Sequence, residues 1–252
     1  MTFEHPTPGQ TPELLALWKT VFGEHDGFWE LFLEHGFSPR RCRCIVENGQ
    51  VTASLCWFDC QCCGQRQAYI YAVLTHPDHR GRGLCRGLLA DTHAYLQKAG
   101  YAAALLVPAE EPLRGMYRKL GYRDAATVSV VSCGAGEAPL PLRAIGPGEY
   151  AALRREFLPE GGVVQEGENL AFLSQQARFY TGDGFLLAAY SDGDTLHGME
   201  LLGSSAAAPG IVKALACKKG HFRTPGTERP FAMMYPLRED AANPTYFGFA
   251  FD

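Results

Sequence analysis

A short basic glycine loop, set between a buried strand and a helix, constrains this chain more than any other feature. Tyr69 to Thr75 is apolar or β-prone at every position, the pattern of a strand covered on both faces. Pro77 and Asp78 stop it. From Leu84 the apolar residues take helical spacing, at Leu84, Leu88, Leu89, Tyr95 and Leu96, and Gly100 supplies a left-handed stop. Between strand and helix lies Arg80-Gly81-Arg82-Gly83. The two glycines let the backbone come close to a ligand, because no Cβ intervenes. The amides after them are the unpaired donors of a helix N-terminus, which favours an anion. Arg80, Arg82 and Arg86 add positive charge. The segment reads as a pyrophosphate cradle; the bland alternative is a surface turn before a helix.

What is missing decides which kind of cradle. A P-loop needs Gly-Lys-Ser/Thr, and none follows. A dinucleotide loop needs G-x-G-x-x-G, but its third position holds Arg86, and no acidic residue ends a second strand at the right distance. The spacing Arg80-x-x-Gly83-x-Cys85 instead resembles the R-x-x-G-x-G/A motif of the GNAT acetyltransferase superfamily. Thr75-His76-Pro77-Asp78-His79-Arg80 resembles its V-x-P-x-x-R lead-in. Cys85 departs from the family's Gly or Ala, but it is small enough to leave its amide accessible.

Elsewhere the composition excludes rather than identifies. A chain of 252 residues, 46% hydrophobic and 20% charged, is globular and long enough for one large domain or two small ones. A net charge of -4 argues against nucleic acid as a partner, and no apolar run is long enough to span a membrane. The segment Met1-Thr2-Phe3-Glu4-His5-Pro6 lacks the features of a signal peptide, so a cytoplasmic, reducing location is expected. Under those conditions the cysteines, including Cys42, Cys44, Cys60, Cys62 and Cys63, form neither disulfides nor a zinc site. C-x-C spacing in a strand lacks the C-x-x-C knuckle, so buried small hydrophobes are expected.

Read in order, Thr11-Pro12-Glu13 starts a helix with the stripe Leu14, Leu15, Trp18, Val21 and Phe22. A second helix covers Gly27 to His35. Strands follow at Cys42 to Val46 and Val51 to Cys62, around the hairpin signal Asn48-Gly49, and then the strand from Ala68. After the glycine loop and its helix come a buried strand, Tyr101 to Val107, and a helix bearing Leu113, Met116, Tyr117 and Leu120. Two strands over Ala125 to Cys133 end this half. Gly134 to Pro141 reads as a linker. Beyond it helices are expected at Tyr150 to Phe157, Leu170 to Tyr180 and Ile211 to Lys219. Strands are expected at Phe185 to Tyr190 and Thr195 to Leu202, around Asp192-Gly193. That dipeptide lies 144 residues from Asn48-Gly49, which suggests a duplicated domain.

The resemblance implies an α/β (α+β) GNAT fold, a mixed and mostly antiparallel sheet flanked by helices, over residues 1–136. A degenerate GNAT-like half lacking the cofactor loop would occupy 137–252. The two-half layout is similar to the enhanced-intracellular-survival type of acetyltransferase, without its sterol-carrier-like domain. It further implies an acetyl-CoA-dependent N-acetyltransferase acting on a small-molecule or peptide amine by direct attack in a ternary complex. Leu74 and Thr75 would flank the pantetheine arm, and Arg80, Gly81, Arg82, Gly83, Cys85 and Arg86 the pyrophosphate. Tyr117 matches the family's Y-x-x-x-G-F/Y tyrosine, the acid that protonates the leaving sulfur. A phenol keeps its proton at neutral pH and can serve as that acid; the alternative is that Tyr117, which lies on an apolar stripe, only fills the core.

Glu24, Asp26, Glu30 and Glu34 are candidates to meet a cationic amine, or form a solvated helix face. His76, Glu30, Glu34 and Glu110 are candidate bases. The aromatic alternation of Tyr246 to Phe251 reads as a strand. By analogy with the three-domain relatives, Asp252 and its α-carboxylate would orient or deprotonate the amine; the alternative is an edge strand only. Two other activities fit the same cradle: a non-enzymatic acyl-CoA sensor, and a transferase of longer acyl groups.

Overall fold

The computed structural model describes residues 1–23 and 27–251. The elements of the first half, in chain order, are β1 (Thr2–Glu4), α1 (Thr11–Phe22), α2 (Phe28–His35), β2 (Cys42–Glu47), β3 (Gln50–Cys62), β4 (Gln65–Thr75), α3 (Leu84–Lys98), β5 (Ala103–Leu106), α4 (Glu111–Lys119), β6 (Arg123–Asp124) and β7 (Thr127–Gly134). The second half adds β8 (Leu142–Ile145), α5 (Pro147–Phe157), α6 (Glu168–Leu173), β9 (Arg178–Gly182), β10 (Phe185–Asp192), β11 (Thr195–Gly203), α7 (Ala208–Ala214), β12 (Lys219–Pro225), β13 (Arg229–Pro230) and β14 (Met233–Pro236).

These strands form two seven-stranded sheets, ordered β1-β2-β3-β4-β5-β14-β6 and β8-β9-β10-β11-β12-β7-β13. Pairing is antiparallel throughout except β4 with β5 and β11 with β12, each pair joined by a helical crossover. The sheets therefore repeat one topology, with a reciprocal exchange: β7 sits in the second sheet and β14 in the first. The expected division after residue 136 thus does not separate the sheets. Strands β5 and β12 each need a partner on the free side, and each takes it from the other half.

Local signals explain the hairpins. Asn48 and Gly49 both hold positive φ, 52° and 83°, as a two-residue turn matched to strand twist requires. The repeat, however, runs in another register than the Asp192-Gly193 match suggested. By strand order the counterpart of Asn48-Gly49 is Asp183-Gly184, between β9 and β10, whereas Gly193 corresponds to the Cys63-Gly64 turn between β3 and β4. The expected helix over Leu170 to Tyr180 ends at Leu173, because Arg178 to Gly182 pairs with β8 and β10 as β9. The helix expected to reach Lys219 stops at Ala214, and Lys219 opens β12. Helix α1 is entered one turn earlier than expected, through a 3-10 turn over Pro8–Gln10, with the Thr7 amide donating to Gln10 Oε1.

Two core layers cover the first sheet. Helices α1 and α2 place Trp18, Trp29 and Phe32 on one face, with Cys42, Cys44, Cys60 and Cys62 buried beneath them. Helices α3 and α4 place Leu88, Leu89, Leu96 and Tyr117 on the other. Segment 246–251 is buried but is not the expected strand. It makes one bridge, Gly162 with Tyr246, and beyond that side chains replace a neighbouring strand. The Gln165 amide donates to Phe249 O (2.8 Å) and accepts from Phe249 N (3.0 Å). Asp252 lies outside the described residues.

Candidate active site

Strands β4 and β5 run together only from Gln67–Ala103 to Tyr69–Leu105, and beyond that they part. A kink in β4 widens the gap. The β3–β4 ladder slips between Ser54–Leu74 and Cys56–Tyr71, so that two residues, Ala72 and Val73, face one. Ala72 takes φ +50°, rare for a residue with a side chain and held here by the bulge. The sequence contains no glycine or turn signal at this bulge, and its pairing partners create it.

The parted strands open a cleft of about 380 Å³, which passes through the sheet. On the α3–α4 side it is lined by Ile70, Leu106, Leu113 and Tyr117. The α1–α2 side has Phe28, Trp29, Tyr69, Tyr71 and Phe251. Leu74 and Thr75, expected at the cleft, lie just past it toward the glycine loop, and Ile70 to Val73 line it instead. Leu74 is buried, and Thr75 Oγ1 is a buried hydroxyl with no partner among the described residues.

The glycine loop follows. Gly81 and Gly83 hold φ of +76° and +78°, and a Cβ on either would meet nothing within 4 Å. Backbone geometry therefore demands glycine here, while the space in front is open. Gly83 caps α3, whose first amides have no carbonyl within the helix to bind. The arginines divide. Arg82 turns from the loop to make a paired contact with Glu47, both bonds 2.9 Å, which holds the Glu47 carboxyl below the usual carboxylate range. Arg80 donates to Thr75 O at 3.4 Å and is exposed. Arg86 lines a second groove of about 330 Å³, between α3 and β14, with Leu120 and Tyr235. The loop thus offers backbone amides and two exposed arginines, with Arg82 already neutralised.

Tyr117 is 7% exposed and reaches the cleft from α4. Burial, with the nearby Cys85, pushes its phenol well above the ordinary value, so it holds its proton at any neutral pH. Cys85 is half-buried, its thiol also raised by burial. The structure thus brings Tyr117 and the start of α3 together. The acidic candidates fall elsewhere. Glu30 is half exposed and pairs with Lys19 (2.6 Å), and Glu34 is exposed beside His35. His76 lines a different depression, with Glu13 and Asp78, and its Nδ1 accepts from Asp78 N. Glu110 is exposed at the start of α4 and does not line the cleft. Glu24 and Asp26 lie outside the described residues. The wall that sequence reasoning missed is Phe251, which packs on Phe58 and Phe172 with ring centroids 4.9 Å apart in both pairs.

Comparison with known proteins agrees with this layout. The profile of the acetyltransferase (GNAT) domain matches residues 2–125. No curated protein matches the sequence. Among solved structures, a GCN5-related N-acetyltransferase from Kribbella flavida superposes with a TM-score of 0.70 at 18% identity, covering 92% of this chain and 70% of that one. Eis1 from Mycobacterium abscessus superposes at 0.68 and 13% identity, over 94% and 74% of the two chains. A tandem GNAT protein from the clavulanic acid biosynthesis pathway aligns at 0.54 and 12% identity, over 95% and 99%. At these identities the structural likeness speaks for the fold, and the domain match for the family. Residues 2–125 are a GNAT acetyltransferase domain, and the chain that carries it is an acyltransferase with the two-half architecture of the tandem members of that superfamily.

Proposed function

We propose that the chain is an acetyl-CoA-dependent N-acetyltransferase that moves an acetyl group to a primary amine by direct attack, with Tyr117 as the general acid. The observation that carries this reading is the cleft through the first sheet, with an open glycine cradle beyond one end of β4 and the Tyr117 phenol in its wall. Acetyl-CoA fits the residues present. The positive-φ glycines face open space, the α3 amides are unpaired donors, and Thr75 Oγ1 is an unmet buried group beside them. When bound it supplies an acetyl thioester that an amine attacks, releasing a thiol.

The chain's own groups then divide the work. The amides of Gly83, Leu84, Cys85 and Arg86 hold the pyrophosphate at the helix start, with Arg80 and Arg86 adding charge. Gly81 shapes the loop, and the Arg82–Glu47 pair anchors it to β2. Past Tyr69 the described residues place no strand on the β5 side of β4, and the backbone of Ile70, Ala72 and Val73 would orient the arm and stabilise developing negative charge. Tyr117 holds a proton at Oη until the sulfur leaves. Tyr117 gives that proton to the sulfur as the C–S bond breaks, the attacking amine loses its own proton to solvent as the amide forms, and solvent returns a proton to the phenolate.

Tyr117→Phe tests the assignment because it removes one hydroxyl and keeps the ring. Turnover should fall by about 10²–10⁴ while acetyl-CoA affinity stays unchanged. Unchanged turnover with a poor amine, for which the transfer step limits the rate, would return Tyr117 to a core role.

A further inference from the structure

The α1–α2 end of the cleft is a box of rings. Trp29 stacks on Phe22 with centroids 5.2 Å apart and meets Phe28 edge-on at 5.0 Å, and its indole N–H is already used by Gly23 O (3.1 Å). Across from them stand Tyr69, Tyr71 and Phe251. The cradle and Tyr117 occupy the opposite face of the sheet, so this end is where an acceptor can approach the thioester.

One of these rings, Phe251, is delivered by the second half. Arg154 and Glu200, both fully buried, pair through Nε–Oε2 (2.7 Å) and Nη2–Oε1 (3.0 Å). Segment 246–251 is threaded against this pair. A Cβ on Gly248 would lie 1.8 Å from Glu200 Oε1, so only glycine passes. Arg154 covers the Phe249 ring at 4.4 Å, Arg223 Nη1 donates to Gly248 O, and Gln165 clips Phe249 by both amide atoms. The clamp ends at Phe251, whose amide donates to Tyr69 Oη (3.3 Å) and whose ring is wedged between Phe58 and Phe172.

We propose that the second half sets acceptor selectivity: it seats Phe251 as one wall of the cleft's α1–α2 end, and that end takes a primary amine carried on a flat, apolar body. The inference rests on the acetyl-transfer reading above. An aromatic amine would bury its ring against Phe22, Phe28, Trp29 and Phe251, whereas a polyamine would give up solvation there for ring faces.

The test uses the full chain with acetyl-CoA and two acceptors, 2-phenylethylamine and spermidine, in the wild type, Phe251→Ala and Phe251→Leu. The wild type should favour 2-phenylethylamine in kcat/KM by about tenfold or more. Phe251→Ala should raise KM for that amine by about ten- to a hundredfold and the spermidine KM by far less, with the acetyl-CoA Kd unchanged, and Phe251→Leu should recover part of the loss. Spermidine serving as well as the aromatic amine, or Phe251→Ala raising both KM values equally, overturns the proposal. So does octanoyl-CoA outperforming acetyl-CoA, which would give the ring box to the acyl chain. Failure to acetylate 2-phenylethylamine by a protein that binds acetyl-CoA also overturns it. Failure of the wild type to bind acetyl-CoA sinks the acetyl-transfer reading instead.

Discussion

The two halves share a strand–helix–parallel strand crossover and differ in the space that lies before its helix. In the first, β4 leads through two positive-φ glycines into the 15-residue α3, and the space before the helix is open. In the second, β11 leads through a 3-10 turn into the seven-residue α7. The linker closes over that helix start. Gly136 N donates to Pro209 O, Leu140 N donates to Gly210 O, and the Leu140 side chain lies 2.5 Å from where a Gly210 Cβ would sit. The interior differs in the same sense. Where β4 parts from β5 there is a cleft, whereas past the β11–β12 pairing the Arg154–Glu200 pair and segment 246–251 fill the space. On the reading proposed above, a common topology would not by itself carry cofactor binding; the open glycine turn before α3 would, and the second half has a closed helix start in its place.

The comparison breaks most completely if the halves are parted. The fragment 1–136 lacks β14, which leaves the buried β5 at a bare edge, and its β7 lacks β12. It should be insoluble or unfolded alone and become soluble when co-expressed with 137–252; an independently folded 1–136 that binds acetyl-CoA would show the exchange to be dispensable.

Two glycine substitutions sharpen the contrast. Gly83→Glu adds bulk and an anion where the cradle opens, and should weaken acetyl-CoA binding by about a hundredfold or more in calorimetry. Gly210→Ala drives a methyl group into Leu140 and should cost about 1–3 kcal/mol in urea unfolding with no change in acetyl-CoA affinity. Equal effects on affinity would mean that both helix starts bind ligand.

The smallest effect separates the halves by pH. In the first half His93 is buried, bonded to Tyr122 Oη (2.8 Å) and stacked at 4.0 Å on Tyr235 from β14. Burial lowers it to about 4. The unfolded chain, with its histidine near 6.5, therefore binds the proton first, and stability falls as pH drops from about 6.5 toward 4. Between pH 7 and pH 5 the loss from this residue should be about 2 kcal/mol, and His93→Gln should flatten that part of the urea-midpoint profile. An unchanged slope would show that acid acts elsewhere.

What was legible in the sequence follows from local physics. The strand, glycine loop and helix from Tyr69 to Lys98, the Asn48-Gly49 hairpin and the stripe carrying Tyr117 are each written in a few neighbouring residues, because φ sterics, capping and periodicity act over one or two turns. The features that failed are those with two local solutions. Asp183-Gly184 and Asp192-Gly193 are equally good hairpin signals, and only strand order decides which matches Asn48-Gly49. Arg178 to Gly182 becomes a strand because β8 and β10 flank it. Tyr246 to Phe251 has strand-like alternation but, beyond one bridge at Tyr246, is held by the side chains of Gln165, Arg223 and Tyr69. By itself the sequence determined that a GNAT half with a glycine cradle would form. The exchange of β7 and β14, the bulge at Ala72 and the seating of Phe251 in the cleft were decided by the tertiary structure alone. Each depends on backbone and side-chain groups far apart in the chain finding their partners, and no local propensity encodes that choice.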